Sequence, residues 1–460
     1  MKSALTMIFT LAMMGLSANI AFAADAPPNI IWFIGDDIGP KEFGCYGHPN
    51  IQTPNVDRLA SQGVRYTNAF VTTSSCSPSR ASMFTGKYPH ATGAENLHDP
   101  LPSAQRILPQ MLKAKNYFSA ICGKFHLGND TVPKFDVVDN KINHWSAILE
   151  KRPQDQPFFL AVSFHDAHRP FERGCVSPPT REQDIVVPAY LPDVPEARAE
   201  YAGFCDEIRR IDDVVGQVMA RLDRDGIADN TLVLFFGDNG PPFPRAKTTL
   251  YDSGIATPLV VRWPAKIKTA FTTAAQFSTV DLVPTCLIAA DIDVPNDVQG
   301  INLIDTFTDP TATGRQFVFA ERNWHDFDDH SRGVRTPFFK YIRNALPGRA
   351  LENSADSIVG PLFQKMRQMR DAGTLTQDQA IMFRSPRPNE ELYALADDPN
   401  EFRNLAHDPA YAAVLNQLRK QLDGWIENTH DVSPSKALPD EFDLETGERI
   451  HPPHQANKKK

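Results

Sequence analysis

Asn29-Ile30-Ile31-Trp32-Phe33-Ile34 is a nearly unbroken apolar run that stops at Gly35-Asp36-Asp37. It predicts a strand buried on both faces with polar groups at its C-terminal end. Phe118–Cys122, Phe158–Phe164 (followed by His165-Asp166) and Thr231–Phe236 (followed by Gly237-Asp238-Asn239-Gly240) repeat the pattern. Between these runs the period changes. Thr53-Pro54-Asn55 opens a short helix through Ala60 with Pro54 at its first position. Glu196–Leu222 carries helical spacing, and Asp281–Ala290 reads as helix. Strands alternating with helices predict an α/β fold with a large, mostly parallel sheet flanked by helices. Ligands of such sheets bind beyond the strand C-termini. Asp36-Asp37, His165-Asp166 and Asp238-Asn239 therefore fall on one rim.

Past about residue 330 the texture changes. Phe338–Ile342 and Glu391–Leu395 read as strands and Ala410–Asn428 as a terminal helix. The expected divisions are a signal peptide over 1–23, a catalytic domain over 24–330, and a smaller C-terminal α+β domain over 331–460 with an antiparallel sheet. Ser433–Lys460, Pro-rich and charged, is expected to wrap the surface or lack structure. At the other end, Met1-Lys2, the apolar run Leu5–Ile20 and Ala21-Phe22-Ala23 form a secretory signal with cleavage after Ala23. The expected location is periplasmic or secreted. No later apolar stretch reaches membrane length.

Charge and cysteine usage narrow the function class. The formal net charge is −9 over 460 residues, which argues against nucleic-acid binding and against long-range capture of a polyanion. An anionic substrate would need a local cationic pocket, which suits a chain end or a small ester. Six cysteines do not make a disulfide-dense scaffold. Cys175 with Cys205 is one candidate bridge, and pairing is not settled by sequence.

Candidate chemistry lies at four places. Cys76-Ser77-Pro78-Ser79-Arg80 reads C-x-P-S-R, a pattern whose chance occurrence at a given site is on the order of one in 10⁵. The plain alternative is a helix N-terminus with a buried structural cysteine. Asp36, Asp37, Asp238 and Asn239 are hard oxygen ligands suited to Ca²⁺, with Mg²⁺ as the alternative. Two adjacent aspartates alone are more often a turn or a cap; a second Asp-Asn at another strand end changes that balance. In Gly123-Lys124-Phe125-His126-Leu127-Gly128, an extended chain would aim Lys124 and His126 the same way. His168 is a candidate acid, with a structural capping role equally open. Lys247 stands alone in a loop, where most lysines are solvated.

Taken in order and spacing, the strand with Asp36-Asp37, Cys76–Arg80, Gly123–Gly128, Asp238-Asn239 and Glu391-Leu392-Tyr393 resemble the type I, formylglycine-dependent sulfatase family. Ser74–Ser82, Phe158–Arg169 and Asp238–Pro244 are similar to its sulfamidase (N-sulphoglucosamine sulphohydrolase) branch. The resemblance implies an alkaline-phosphatase/sulfatase-like fold. It also implies that a formylglycine-generating maturation enzyme oxidises Cys76 to an aldehyde, whose hydrate takes up the sulfo group and then expels sulfate. It gives Asp36, Asp37, Asp238, Asn239 and residue 76 to the metal. Arg80 would support the nucleophile, Lys124 and Lys247 would clamp the sulfate, His168 would protonate the leaving atom, and His126 would act as base for sulfate release. His98, Asp166, Trp324 and His325 would face the substrate.

Two departures stand out. The sulfamidase branch carries arginine where this chain has Lys247, and Asn323–His330 finds no clear match. The implied activity is sulfate removal from a sulfated glycan, from the chain end, with N-sulfoglucosamine favoured. The alternatives are an O-sulfatase on marine or host polysaccharide (carrageenan, ulvan or glycosaminoglycan type) and a phosphonate or phosphodiester hydrolase of the same superfamily. A homodimer is left open.

Overall fold

The computed structural model describes residues 27–434 and 436–453, so the expected signal peptide lies outside the described residues. Among those residues the strands are β1 (Asn29–Gly35), β2 (Val64–Phe70), β3 (Phe118–Gly123), β4 (Val137–Asp139), β5 (Phe158–Ser163), β6 (Thr231–Gly237), β7 (Leu259–Arg262), β8 (Phe271–Ser278), β9 (Val318–Arg322), β10 (Ser331–Arg335), β11 (Phe339–Asn344) and β12 (Glu390–Ala394). The first eight form one sheet in the order β4-β3-β5-β1-β6-β7-β2-β8. Only β7 runs against its neighbours there, and the remaining pairings are parallel. The last four form an antiparallel sheet in the order β12-β11-β10-β9.

Alternation along β1 explains the layering. Ile31 and Phe33 join a core with Ala202, Ile208 and Val215 of the helix Pro195–Arg224. Ile30, Trp32 and Ile34 join a second core with Ala81 and Phe84 of the helix Cys76–Thr85 and Leu282 and Leu287 of the helix Leu282–Ala289. A strand that is apolar at every position needs cover on both faces, and these helices supply it.

The second sheet is not an appendage. One face packs Val334, Tyr341 and Leu392 against Leu415, Leu418, Leu422 and Trp425 of the terminal helix Ala412–Thr429. The other packs Val318, Ala320 and Tyr393 against Phe70, Val71 and Tyr251. The Glu321 amide donates to the Thr72 carbonyl at 2.9 Å, tying β9 to the segment that leads into Cys76. This sheet takes its first strand from Val318–Arg322, upstream of the residue 331 border expected from sequence. Part of the chain beyond 331 also returns to the large sheet: Ile358, Leu362, Phe363 and Met366 sit in the first core. Cys175 and Cys205 are separate thiols, as are the other four cysteines, which removes the candidate bridge. No described helix is long and apolar enough to cross a membrane.

Trp425 joins the terminal helix to both parts of the molecule. Its ring meets Tyr88 edge-on at 5.0 Å and stacks on Phe319 at 5.2 Å. Trp425→Ala is expected to cost about 3–5 kcal/mol of stability, read from the urea midpoint. A loss below about 1 kcal/mol would show that the helix is not anchored through this ring.

Candidate active site

Four neighbouring parallel strands, β3-β5-β1-β6, end side by side. Register sets Gly123 opposite Ser163, Ile34 opposite Ser163, and Gly35 opposite Gly237. Lys124, Asp36-Asp37 and Asp238-Asn239 therefore leave the sheet at one level. Gly123 is required for this exit: its φ is +87°, and a Cβ there would stand 1.9 Å from the Ser163 carbonyl oxygen. Asp37 turns with φ +56°, which a short polar side chain tolerates best. Cys76 is the first residue of the helix Cys76–Thr85, as the plain reading of the motif had it, but it points into this rim and not into inert core.

The side chains interlock. Asp36 Oδ2 accepts from Lys124 Nζ at 2.5 Å. Asp238 Oδ2 accepts from Arg80 Nε at 2.8 Å, and its Oδ1 accepts from the Asp37 amide at 3.0 Å. Asp37 takes Asn239 Nδ2 at 2.7 Å on one oxygen and Lys247 Nζ at 2.7 Å on the other. Arg80 is held further by Ser163 Oγ at 2.6 Å and the Lys124 carbonyl at 3.1 Å. All of these groups except the Lys124 ammonium are almost fully buried.

This arrangement fits a divalent cation. One oxygen from each of Asp36, Asp37 and Asp238 lies within 4.8 Å of the others. Asp36 Oδ1 and Asn239 Oδ1 are buried without a hydrogen bond, a costly state for oxygen acceptors. Burial, with the Asp238 and Asp37 carboxylates alongside, pushes Asp36 well above the usual carboxylate range despite Lys124. Burial acts the same way on Asp238, but Arg80 and Lys124 outweigh it and hold that carboxyl below its usual value. A hard cation among these oxygens would relieve both the orphaned acceptors and the repulsion.

The rest of the expected site gathers around residue 76. Burial pushes the Cys76 thiol up to about 11, against the pull of Lys124 and Lys247, so the unmodified group is protonated at neutral pH. His126 Nε2 lies 2.9 Å from His98 Nδ1, while His126 Nδ1 is buried without a partner. Burial and then Lys124 hold His126 well below its ordinary value. His168 Nδ1 faces the Arg169 carbonyl at 2.6 Å, and its Nε2 lies 3.9 Å from Asp37 and 3.5 Å from Asp356. Lys247 and then burial hold His168 down. His325 Nδ1 meets Ser75 Oγ at 2.7 Å, and Trp324 packs on Cys76 and Leu97. Both are buried, so they form walls beside residue 76 and not open contacts. Asp166 differs from expectation. Its carboxylate is engaged by Arg210 at 2.6 and 2.9 Å, and its carbonyl accepts from the Asp36 amide at 2.9 Å, so it braces the Asp36 turn.

Three features escape the sequence reading. Asp356 bonds Lys247 Nζ at 3.2 Å and faces His168, from a stretch with no local signature. Ser163 is the second, and the signal that marks it is a single polar residue closing an apolar strand. Residues 438–441 also close the rim: Leu438 packs on the Cys76–Trp324 cluster, the Pro439 carbonyl accepts from Trp324 Nε1 at 3.0 Å, and the Glu441 amide donates to the Asp326 carbonyl at 2.8 Å. Part of the tail expected to wrap the surface is thus part of the site's wall.

Lys247 carries a structural load. Burial opposes its charge, but Asp356 and Asp37 outweigh this and hold its ammonium well above the usual range. Lys247→Met leaves buried Asp37 short of a cation and should cost about 3–5 kcal/mol in chelator. Denaturant unfolding at wild-type midpoint would contradict this.

Comparison with known proteins agrees with the geometry. The Sulfatase family model matches residues 28–144 and 139–292, and the model for the C-terminal region of N-sulphoglucosamine sulphohydrolase matches 245–348. The human N-sulphoglucosamine sulphohydrolase is 32% identical over 457 residues, covering 88% of this chain and 91% of that protein. An ulvan-active sulfatase of Formosa agariphila is 28% identical over 455 residues, covering 87% of this chain and 74% of that protein. The structure of BT4656 in complex with its substrate D-glucosamine-2-N,6-O-disulfate superposes with a TM-score of 0.70 at 20% identity, covering 89% of this chain and 99% of that one, which shows a shared fold. With the family match running over more than half of its length and a relative this similar across nearly all of it, the chain belongs to the sulfatase family, the hydrolases of sulfuric esters and sulfamates.

Proposed function

We propose that this protein is an exported, exo-acting sulfohydrolase that removes N-sulfate from glucosamine at the end of a sulfated glycan, using formylglycine made from Cys76. The observation that carries the reading is the buried constellation of Asp36, Asp37, Asp238 and Asn239 with Arg80, Lys124 and Lys247 around residue 76. Four carboxylates, counting Asp356, face three fixed cations. A divalent cation would turn this slight negative excess into a positive one, which suits a monoanionic sulfo group.

Asp36, Asp37, Asp238 and Asn239, with residue 76, would hold Ca²⁺ (or Mg²⁺), which supplies charge neutralisation at the sulfo oxygens and acidifies the attacking hydroxyl. Formylglycine at residue 76 supplies a hydrated aldehyde in place of a thiol that burial keeps protonated. The chain's own groups do the rest. Arg80, locked by Asp238 and Ser163, fixes the position of residue 76. Lys124 and Lys247 orient the sulfo group and stabilise charge on its oxygens, an electrostatic role set before substrate arrives. His168, its ring fixed by Nδ1–H donating to the Arg169 carbonyl, presents Nε2 to the leaving atom; it delivers a proton there from its doubly protonated form, which Asp37 and Asp356 favour against Lys247 and burial. His126, kept neutral by burial and Lys124, accepts the proton that frees sulfate. Residues 438–441, with Trp324 and His325, block one side of the rim, which supports attack at a chain end.

The N-sulfate assignment draws on the match of 245–348 to the N-sulphoglucosamine sulphohydrolase C-terminal model and on the 32% identity to the human enzyme. A second reading, O-sulfate removal from an ulvan-type polysaccharide, draws on the similarity to ulvan-active sulfatases. Ion chromatography of sulfate released from N-sulfoglucosamine and from O-sulfated monosaccharides separates them. Release from the N-sulfated sugar is the expected result. Release from O-sulfated sugars alone would move the assignment to the second reading.

A further inference from the structure

We propose that Asp356 makes this site selective for sulfamates over sulfate esters, by presenting a carboxylate to the nitrogen that leaves. The inference rests on the reading above, in which His168 serves the leaving atom. Asp356 Oδ2 lies 3.5 Å from His168 Nε2 and 3.2 Å from Lys247 Nζ. Of these three side chains Lys247 is 2% exposed, whereas Asp356 is 24% and His168 34% exposed. The carboxylate and the imidazole are thus the solvent-facing members, with the ammonium behind them. Asp356 also lines a neighbouring cavity of about 510 Å³ together with Arg169, Phe171, Arg173, Val359 and Pro361; residue 76, Lys124, His168 and Lys247 are not part of its wall. The other carboxylate on that wall, Glu200, is committed to the Arg169 guanidinium and the Leu362 amide. Asp356, though paired with Lys247, is the carboxylate that both lines this cavity and faces His168.

The chemistry discriminates at this position. The nitrogen of a sulfamate is basic enough to take a proton from His168 before the S–N bond breaks, so the bond pair stays on a nitrogen that is positively charged at that stage and departs as the neutral amine R–NH₂. The amine then binds a second proton, so hydrolysis of R–NH–SO₃⁻ with one water gives R–NH₃⁺ and SO₄²⁻. Cleavage of R–O–SO₃⁻ with one water gives neutral R–OH, SO₄²⁻ and a released proton. A carboxylate beside the leaving atom attracts the developing ammonium. Beside a leaving oxygen, which carries negative charge until it is protonated, the same carboxylate is repulsive. An anion placed here therefore favours nitrogen by attraction and disfavours oxygen by repulsion, the two halves of a specificity device. A purely structural role, neutralising Lys247, predicts no such difference.

The test compares wild type with Asp356→Asn as formylglycine-confirmed enzyme, on N-sulfoglucosamine and on glucosamine 6-O-sulfate. Both rates should fall, because Lys247 loses a charged partner. The ratio of kcat/KM for the sulfamate over the ester should fall by about tenfold or more, the scale of a charge-assisted hydrogen bond. An unchanged ratio overturns the proposal. A second arm needs no turnover: calorimetric binding of glucosamine and of glucose to the unmatured Cys76 protein. Asp356→Asn should weaken glucosamine about tenfold relative to glucose. Equal binding of the two sugars to wild type and variant overturns the proposal even where N-sulfate turnover is intact. Wild-type turnover of O-sulfates alone overturns the N-sulfate reading itself, and the proposal with it.

Discussion

Cys76→Ala is expected to lower sulfate release by about 10⁴-fold or more with little change in the thermal unfolding midpoint. The neighbouring hydroxyls offer no substitute nucleophile. Ser75 Oγ is engaged by His325, and Ser77 Oγ accepts from the His98 amide at 2.8 Å. The thiol side chain is small, and its removal leaves the Arg80–Asp238 and Lys124–Asp36 pairs in place. Ion chromatography gives the rate, and a melting curve shows that the fold is kept. Sulfate release at the wild-type rate would remove residue 76 from the mechanism and leave the surrounding cations without a task.

Chelation of the divalent cation is expected to have the second-largest effect. Activity should fall by about 10³-fold, the equivalent of several kcal/mol of charge stabilisation. The same ion should stabilise the fold. At a free concentration of about 100 Kd, binding to the native state alone adds about 2.7 kcal/mol, read as a rise in Tm when Ca²⁺ is restored. The physical source is the set of three buried carboxylates, with Asp36 and Asn239 each holding an oxygen without a hydrogen bond. Asp36→Ala should abolish the Ca²⁺-dependent rise, because it removes one of those oxygens and the partner of Lys124. A Tm indifferent to Ca²⁺ and to chelator in the wild type would mean that these carboxylates are balanced by Arg80, Lys124 and Lys247 alone.

The parts of this molecule legible in its sequence are those where one physical demand dominates. β1, β3, β5 and β6 are buried on both faces, so their apolar runs are unmistakable, and the polar residues that end them mark the rim. β2 reads Val-Arg-Tyr-Thr-Asn-Ala-Phe and lies near the sheet edge, and β7 is four residues long, so neither announces itself. The same logic divides the site. Asp36, Asp37, Asp238 and Asn239 stand directly after predicted strands, and their meeting follows from the sheet. Asp356 arrives from a segment past residue 330 that sequence assigned to the other domain but that packs back through Ile358 and Leu362 onto the first core. Leu438 and Pro439 reach the rim from a Pro-rich tail whose local pattern says nothing about where it docks. Such long-range returns are set by tertiary packing, and no short-range period records them.

The central claim is that the surrounding residues serve a formylglycine at position 76. Its most direct test is to measure specific activity across preparations that differ in the fraction of residue 76 converted to formylglycine, with the fraction read by mass spectrometry of the peptide ending at Arg80. The account predicts a straight line through the origin, with unconverted Cys76 protein inactive. Full activity in a preparation that carries only unmodified Cys76 would contradict it.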